Sequence, residues 1–286
     1  MINSDFLHSI LGQGQELNPT SSLISWIKER NEAVKVKVTT TTFENLKGWN
    51  VDPVTGNIHH QSGKFFTIEG VEIEVHDEEE KHWSQPIINQ PEIGYLGFLV
   101  KKFNGILHFL IQAKIEPGNV NNVQLSPTIQ ATRSNYKRVH EGKSPAYLDY
   151  FKDRKGTVLI DQLQSEQGAR FFRKRNRNII IEVDDDVEVL EDFMWVTLGQ
   201  IKELLKIDNL VNMDTRTVIS GISYGEYHKD VMNLVQVFTK NLTADYDKEI
   251  FCSYVINGVS LHSSAEVHSW LTELKSNYEL NVKLIP

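Results

Sequence analysis

The sequence predicts a mixed α/β (α+β) protein built around a central sheet. Hydrophobic and polar residues alternate at 34–38 and again at 65–75, which is the pattern of half-buried strands. Two apolar runs, 93–103 and 106–115, are joined by Asn104-Gly105. Asn-Gly favours a type I′ turn because both central residues need a positive φ, so this segment is predicted to be a β-hairpin. Segments with helical spacing stand before and after these strands.

Further strands are predicted at 123–131, interrupted at Ser126-Pro127, and at 157–164 and 179–183. The hairpin therefore leads directly into the next strand. A polar segment in this position is tethered to the sheet, which can hold a site rigidly.

The predicted helices are indicated by capping residues and apolar spacing. Residues 1–18 hold a short helix and a loop, and Thr20 or Ser21 can cap the next helix. Thr197 and Gln200 form a capping box ahead of an apolar helix, and Asp214 can cap a further one. Residues 134–151 are predicted to be helical in pieces.

Composition excludes several classes of protein. The chain has 286 residues, enough for one large domain or two smaller ones, and its net charge of −8 argues against a general nucleic-acid binder. No apolar run reaches the roughly 18 residues that span a membrane, and the N-terminus lacks a signal-peptide pattern. Cys252 is the single cysteine, so no intrachain disulfide is expected. These features favour a cytoplasmic protein.

Two polar stretches, 112–136 and 164–178, carry many amides, hydroxyls and basic groups and few large apolar side chains. The region from Arg133 to Arg177 has a net charge of +7 within this acidic chain. Such a basic region suggests a small anionic ligand, and the alternative is a solvated helix face. We interpret the two stretches as walls of one site.

A short internal repeat is visible at an offset of 244 residues. It matches Trp26 with Trp270 and Glu29 with Glu273, in a helix followed by an alternating strand. The predicted organisation is a domain over 1–238, a linker over 239–265, and the beginning of a truncated second repeat over 266–286.

Six separated blocks resemble the nucleoside-diphosphate-hexose (NDP-hexose) 2,3-dehydratase family. The resemblance implies a Nudix-like mixed sheet flanked by helices, forming one repeat of a tandem-duplicated family. The blocks are QAKIEPG (112–118), QLSPTIQATRSNY (124–136), QSEQG (164–168), KRNRN (174–178), TLGQ (197–200) and DNLVNMDTRT (208–217).

The resemblance also implies an activity. The expected enzyme is a carbon–oxygen lyase that removes water across C2–C3 of a dTDP-4-keto-6-deoxyhexose in 2-deoxysugar biosynthesis. No cofactor and no metal are expected, because the C4 ketone serves as the electron sink. The expected partners are the dTDP-sugar and a second copy or second half of the protein, with no nucleic acid and no membrane.

The site residues follow from the same blocks. Expected catalytic residues are Tyr136, Glu166 and His140, and the identity of the general base stays open. Several structural alternatives remain: packing for Trp49 and Tyr136, a surface ion pair for Arg133, and neighbouring arginines for Glu166. The expected substrate-binding residues are Trp49, Gln130, Thr132, Arg133, Ser134, Asn135, Tyr136 and Arg138.

Other functions are less well supported. A Nudix-like fold suggests a hydrolase, but the sequence has no long Glu-rich motif for Mg²⁺. Residues 221–225 match the GxSxG pattern of serine hydrolases, yet too late in the chain to leave room for its partners. The main alternative is a non-catalytic nucleotide-sugar-binding half that needs a second repeat or chain for activity.

Overall fold

The computed structural model describes residues 2–12, 14–76, 80–132, 144–222, 262–277 and 279–285. Contacts divide the chain into two compact units, Met1–Glu69 with Ile87–Ile222, and Gly70–Pro86 with Ser223–Pro286. The predicted boundaries of domain, linker and second repeat stay a prediction. The first unit contains the polar cavities described below.

Helices and strands mix along the chain. The helices are α1 (Ile2–Leu11), α2 (Thr20–Ala33), α3 (Leu148–Lys152), α4 (Leu198–Leu204), α5 (Met213–Ser220) and α6 (Ser264–Asn277). The strands are β1 (Trp49–Val51), β2 (Ile58–His60), β3 (Thr67–His76), β4 (Lys81–Asn89), β5 (Gly94–Phe103), β6 (Ile106–Ile115), β7 (Val123–Ser126), β8 (Ile129–Ala131), β9 (Thr157–Ser165), β10 (Arg175–Glu182), β11 (Phe193–Thr197) and β12 (Glu279–Ile285).

The main sheet of the first unit has the strand order β11-β6-β5-β10-β9, with β7 paired to β6 and β8 to β5. Strands β5 and β10 are parallel, whereas β5 and β6, β6 and β11, and β9 and β10 are antiparallel. The predicted mixed α/β (α+β) class is thereby confirmed. Its closer likeness to a Nudix fold stays a prediction.

The core lies in the three central strands. Phe98, Leu99, Phe109, Leu110 and Ile180 are completely buried. Consecutive buried residues point to opposite faces of a strand, so both faces of this sheet are covered. Helices α1, α4 and α5 pack against its strands. The sheet is therefore a rigid support for polar groups at its edge.

The Asn104-Gly105 hairpin is confirmed. Asn104 has φ 49° and Gly105 has φ 80°, as a type I′ turn requires, and Phe103 pairs with Ile106. The interruption at Ser126-Pro127 is confirmed too, because β7 pairs with β6 while β8 pairs with β5. This change of partner leads the chain across the sheet into the site.

Helix capping was predicted correctly once. Thr197 accepts a hydrogen bond from the Gln200 backbone, and the Gln200 side chain returns one to the Thr197 backbone. Helix α5 is instead capped by Asn212, so the expectation for Asp214 was wrong. The cap expected at Thr20 or Ser21 was also wrong, because α2 follows Pro19 with no side-chain cap.

Other errors concern short strands. Residues 34–38 form no strand, and most of their side chains are exposed, because alternation needs a neighbouring strand to become a sheet. The segment around Trp49 contains β1 and β2, which pair antiparallel and were not predicted. The five-residue β11 was not predicted. Residues 134–143 of the predicted helical segment lie outside the described residues, and α3 is the one helix described in the rest of it.

In the second unit, β12 pairs antiparallel with β3 over 70–76, and β4 also pairs with β3. Helix α6 precedes β12, so a helix followed by a strand is present here as the repeat predicts. The first copy has the helix α2 without the strand. The internal repeat therefore stays a prediction: both segments contain a helix, and among the described residues a strand follows directly in the second segment but not at 34–38.

Candidate functional site

Two adjacent polar cavities lie in the first unit, at the end of the central strands. Their volumes are about 220 Å³ and about 200 Å³. Both are lined by Leu96, Glu166, Asn176 and Asp214. We call the larger one the lysine cavity and the smaller one the amide cavity. The lysine cavity is additionally lined by Gln90, Gly94, Lys114, Glu116, Gln130, Ala131, Thr132, Phe171 and Lys174, and the amide cavity by Gln164, Ser165, Gln167, Asn178, Met213 and Thr217.

A chain of hydrogen bonds fixes one wall of the lysine cavity. Gln130 donates from Nε2 to Oε1 of Glu116 at 2.8 Å and accepts at Oε1 from Nδ2 of Asn212 at 3.1 Å. Asn212 in turn caps α5 by accepting from the backbone of Thr215 at 2.9 Å. This series of hydrogen bonds orients the Gln130 amide and connects β8 with the end of β6 and the cap of α5.

Glu166 is held by amides. Its Oε2 accepts from Nδ2 of Asn176 at 2.7 Å, and its Oε1 accepts from the Gln167 backbone at 3.2 Å. Its own backbone N–H donates to the Lys174 carbonyl at 2.9 Å. Neighbouring arginines were the alternative partners for this carboxylate. Among the described residues, its side-chain partner is the Asn176 amide instead.

Two lysines bring positive charge to the lysine cavity. Burial lowers the pKa of Lys114, and Glu116 and Asp214 partly oppose that shift. Lys114 Nζ donates to the Gln130 carbonyl at 3.2 Å. Burial also lowers the pKa of Lys174, whose Nζ donates to the Glu92 carbonyl. Both ammonium groups keep further donors for an acceptor in the cavity.

Asp214 is the most perturbed carboxyl of the site. Burial, followed by the nearby charges of Glu116 and Glu166, raises its pKa to about 6, and Lys114 opposes this. A carboxyl with such a pKa can both accept and donate a proton near neutral pH. Perturbed acids of this kind in clefts are candidates for functional residues.

Asn178 offers an unused amide to the amide cavity. Its side chain is fully buried. Within the ranges that the structure describes, neither its Nδ2 nor its Oδ1 has a hydrogen-bond partner. An unpaired buried amide is costly, and a polar ligand in the cavity would satisfy it. Carboxyls that can exchange protons and amides that can bind hydroxyls thus line adjoining cavities.

Comparison with known proteins agrees with this chemistry. A sequence model of the family described as NDP-hexose 2,3-dehydratase matches residues 20–222. The chain belongs to this family.

Three curated relatives of this NDP-hexose 2,3-dehydratase family member carry the name dTDP-4-dehydro-6-deoxy-alpha-D-glucopyranose 2,3-dehydratase. The protein of Saccharopolyspora spinosa is 43% identical over 98% of this chain and 57% of its own length. The protein of Amycolatopsis orientalis is 42% identical over 93% of this chain and 52% of its own length. The protein of Streptomyces violaceoruber is 48% identical over 72% of this chain and 47% of its own length. The chain thus spans about half the length of these relatives.

The dehydratase-family residues expected from the sequence are placed as follows. Gln130, Thr132 and Glu166 line the lysine cavity, and Glu166 lines the amide cavity as well. Their roles toward a ligand stay a prediction. Outside the described residues lie Arg133, Ser134, Asn135, Tyr136, Arg138 and His140, of which Arg133 directly follows Thr132 in the chain.

Trp49 lies in an aromatic cluster. Its ring centroid is 4.9 Å from that of Phe66, 5.5 Å from that of His60 and 6.2 Å from that of Phe65. Trp49 is half-buried and is not among the residues that line either cavity. Its expected contact with the nucleotide sugar stays a prediction.

Sequence reasoning on this dehydratase-family chain missed several of the charged and amide residues that line the two cavities. Asp214 was expected to cap a helix, and Lys114, Glu116, Asn176 and Asn178 received no role, although three of the six blocks contain these five residues. The signal available was that Lys114, Asn176 and Asn178 belong to strands that also carry core side chains. Their convergence depends on the sheet, which brings distant segments together.

The second unit contains one group of possible metal ligands among the described residues. Ligand atoms of Glu72, Glu74 and His82 lie within 4.8 Å of one another. Oε2 of Glu72 already accepts a hydrogen bond of 2.9 Å from Lys283 Nζ, and its Oε1 lies 2.9 Å from His82 Nε2. The lysine thus supplies the neutralising charge that a cation would bring. Separately, none of the described helices is both long and apolar enough to cross a bilayer.

Proposed function

We propose that this chain catalyses the loss of water across C2–C3 of a dTDP-4-keto-6-deoxyhexose, in the biosynthesis of 2-deoxysugars. Support comes from its family and from the names of relatives that are 42–48% identical. Their name specifies a 4-dehydro-6-deoxy-D-glucopyranose, which is the 4-keto sugar. We take the D-gluco ring as the substrate.

The observation that carries the proposal is the pair of adjoining cavities that share Glu166, Asn176 and Asp214. A dehydration beside a ketone needs a base for the proton at C3, a donor for the developing enolate oxygen and an acid for the departing hydroxyl. The carboxyls supply the first and third requirements. The ammonium groups of Lys114 and Lys174 can supply the second.

The reaction balances without an external oxidant. Removal of the C3 proton leaves the electron pair in an enolate with the C4 oxygen. When the carbonyl re-forms, a C2–C3 double bond appears and the C2–O bond breaks, so hydroxide leaves and is protonated to water. The resulting 3-enol tautomerises to a 3,4-diketone as C2 gains a proton. C3 is oxidised and C2 is reduced within the same ring.

The proposed substrate-binding residues include a polar segment that begins at Thr132. Thr132 lies on the cavity wall and is followed by Arg133, Ser134, Asn135 and Tyr136. We propose that this segment binds the diphosphate, with the Arg133 guanidinium as the principal anion contact. Arg138, His140 and Trp49 remain proposed contributors on the same grounds as in the sequence analysis.

The direct test mixes the purified chain with dTDP-4-keto-6-deoxyglucose and follows the nucleotide sugar by mass spectrometry. A ketoreductase and NADPH trap the unstable diketone as it forms. Loss of one water that is strongly reduced by Arg133→Ala supports the proposal. Absence of water loss at every protein concentration tested contradicts it.

The alternative is a nucleotide-sugar-binding half that is active only with a second repeat or chain. The observation that favours it is that the matched region is about half of each relative. We propose that the partner is a second copy of this chain in the cytoplasm. Sedimentation analysis measures self-association, and thermal stabilisation by dTDP without water loss would identify a binding half.

A further inference from the structure

Asp214 lines both the lysine cavity and the amide cavity. It lies in the first turn of α5, two residues after the cap Asn212. Among the described residues its carboxylate accepts no hydrogen bond, and the causes of its altered acidity are burial and charge alone. It is therefore a carboxyl held at the cavity wall with its oxygens available to a ligand.

The other two carboxyls of the site already accept hydrogen bonds. Glu116 accepts from the Gln130 amide at 2.8 Å, and Glu166 accepts from the Asn176 amide at 2.7 Å and from a backbone N–H. These hydrogen bonds hold the two carboxylates in place and occupy oxygens that would otherwise face a ligand. Of the three, Asp214 is the carboxyl best suited to take a proton from carbon.

We propose that Asp214 is the catalytic base that removes the C3 proton, and that the same carboxyl returns this proton to the departing C2 hydroxyl. This inference rests on the dehydration proposed above. It assigns both proton transfers to a residue that sequence reasoning had placed at a helix cap.

The stereochemistry of the substrate fits a single carboxyl. In a D-gluco ring the C3 hydrogen and the C2 hydroxyl lie on the same face. Asp214 carboxylate takes the C3 proton as the C3–H bond breaks, and the electron pair moves into the enolate. When the C2–O bond then breaks, the Asp214 carboxyl gives its proton to the leaving oxygen and is a carboxylate again. The hydrogen from C3 thus ends in the released water.

The surroundings of Asp214 set its proton affinity for both steps. The charged groups that face it are Glu116, Glu166 and Lys114, and Lys174 lines the same cavity. Burial and the two carboxylates raise the pKa of Asp214 to about 6. A base with this pKa is ionised at neutral pH and still holds a proton well enough to donate it to a leaving group.

Asn178 adds an independent indication that a polar ligand fits beside Asp214. Both residues line the amide cavity, and the Asn178 amide is fully buried with no partner among the described residues. An amide donor and acceptor at this depth suits hydroxyls of a sugar ring, which both give and receive hydrogen bonds. The sugar would then present C2 and C3 to the neighbouring carboxyl.

The test measures two reactions of dTDP-4-keto-6-deoxyglucose in D₂O. NMR follows deuterium entering C3 of the remaining substrate, and mass spectrometry follows loss of water. Asp214→Asn should lower both rates by about 10²–10⁴-fold while dTDP still binds. Asp214→Glu should restore part of the exchange. The wild-type rate should rise as pH passes about 6, and this rise should be absent in Asp214→Asn.

Asp149→Asn is the matched control. Asp149 is an exposed aspartate two residues after the N-cap of α3, the same helical position as Asp214 in α5. This variant should keep wild-type exchange, water loss and pH profile. Loss of dTDP binding or of folding in both Asp214 variants would overturn the catalytic role in favour of a structural one.

The remaining outcomes separate the two proposals. Wild-type rates in Asp214→Asn would overturn the role of Asp214 and leave the dehydratase standing. Exchange at C3 without water loss, abolished in Asp214→Asn, would uphold Asp214 as the base and overturn the dehydration. Neither exchange nor water loss in the wild type, despite dTDP binding, would overturn both.

Discussion

Asn176 donates a hydrogen bond of 2.7 Å from its amide Nδ2 to Oε2 of Glu166, where the two cavities adjoin. Asn176 lies on β10, and Glu166 directly follows the end of the neighbouring antiparallel strand β9. The amide fixes the direction of the carboxylate. The charge of Glu166 is one of the causes that raise the pKa of Asp214.

Replacing Asn176 with Ala should weaken the site. A hydrogen bond to a charged group contributes about 1.5–3 kcal/mol, so we expect kcat/KM for dehydration to fall by roughly 10–100-fold. The control is Asn45→Ala, because Asn45 also donates to a side chain but is exposed in a short turn at Phe43–Asn45. Unchanged kinetics in Asn176→Ala would show that Glu166 needs no such support.

The substitution Gln130→Glu should destabilise the fold in a pH-dependent way. It replaces the amide that donates to Glu116 with a second carboxylate, which leaves two like charges in contact. We expect unfolding free energy at pH 7 to fall by about 1–3 kcal/mol and to recover partly below pH ~5. Chemical denaturation at several pH values measures this, with the exposed Gln61→Glu as the control.

Asp214→Asn should stabilise the protein at neutral pH. In the folded state Asp214 keeps its proton up to about pH 6, whereas its usual pKa is 3.8. Its stabilising contribution is thus fully present below pH 3.8 and is lost as pH rises toward 6. At pH 7 we expect the variant to be more stable by on the order of 1–3 kcal/mol.

Thermal or chemical unfolding of Asp214→Asn between pH 4 and pH 7 checks that expectation. The difference from the wild type should grow with pH across this range. Asp149→Asn should show the opposite sign, a loss of about 0.3–1 kcal/mol, because an exposed acid near a helix N-terminus is stabilising. A pH-independent difference in Asp214→Asn would contradict the raised pKa.

Asn178→Leu should separate stability from ligand binding. Removing an unpaired buried amide relieves a cost of about 1–3 kcal/mol, so the ligand-free protein should melt at a higher temperature. Thermal stabilisation by the dTDP-sugar should shrink. Asn212→Leu is the control with the opposite sign, because Asn212 is buried but caps α5 and donates to Gln130. A lower melting temperature in Asn178→Leu would mean that its amide is satisfied.

Thr197→Ala should cost about 1 kcal/mol of stability, because it removes the side chain that accepts from the backbone of Gln200 in the capping box. Ser21→Ala should have almost no effect, because Ser21 is exposed in the first turn of α2 and that helix has no side-chain cap. Equal losses in the two variants, measured by urea unfolding, would contradict the difference between these helix starts.

Local signals account for the successful predictions. The Asn104-Gly105 turn and the Thr197 capping box are each fixed by residues within a few positions of one another. The strand expected at 34–38 failed because alternation shows that a strand would be amphipathic, not that a partner strand exists. Strand β11 escaped notice because it is short and gains its order by pairing with β6.

The site was predictable only in part, because its residues come from segments that are distant in the sequence. Glu166, Gln130 and Thr132 stand in recognisable blocks and do line the cavities. The role inferred for Asp214 depends on Glu116 and Glu166, which are far from it in the sequence and near it in the fold. No spacing rule connects three such positions, whereas the sheet does.

The parallel pairing of β5 with β10 also has a consequence for biosynthesis. Gly94 pairs with Asn176, so the middle of the sheet joins segments about 80 residues apart. At roughly 5–20 residues per second, a ribosome adds the intervening chain in about 4–16 s. Until then the finished hairpin of β5 and β6 has an open edge on which nascent chains can associate. Slower growth at low temperature with an added chaperone should therefore favour recovery of folded protein over inclusion bodies.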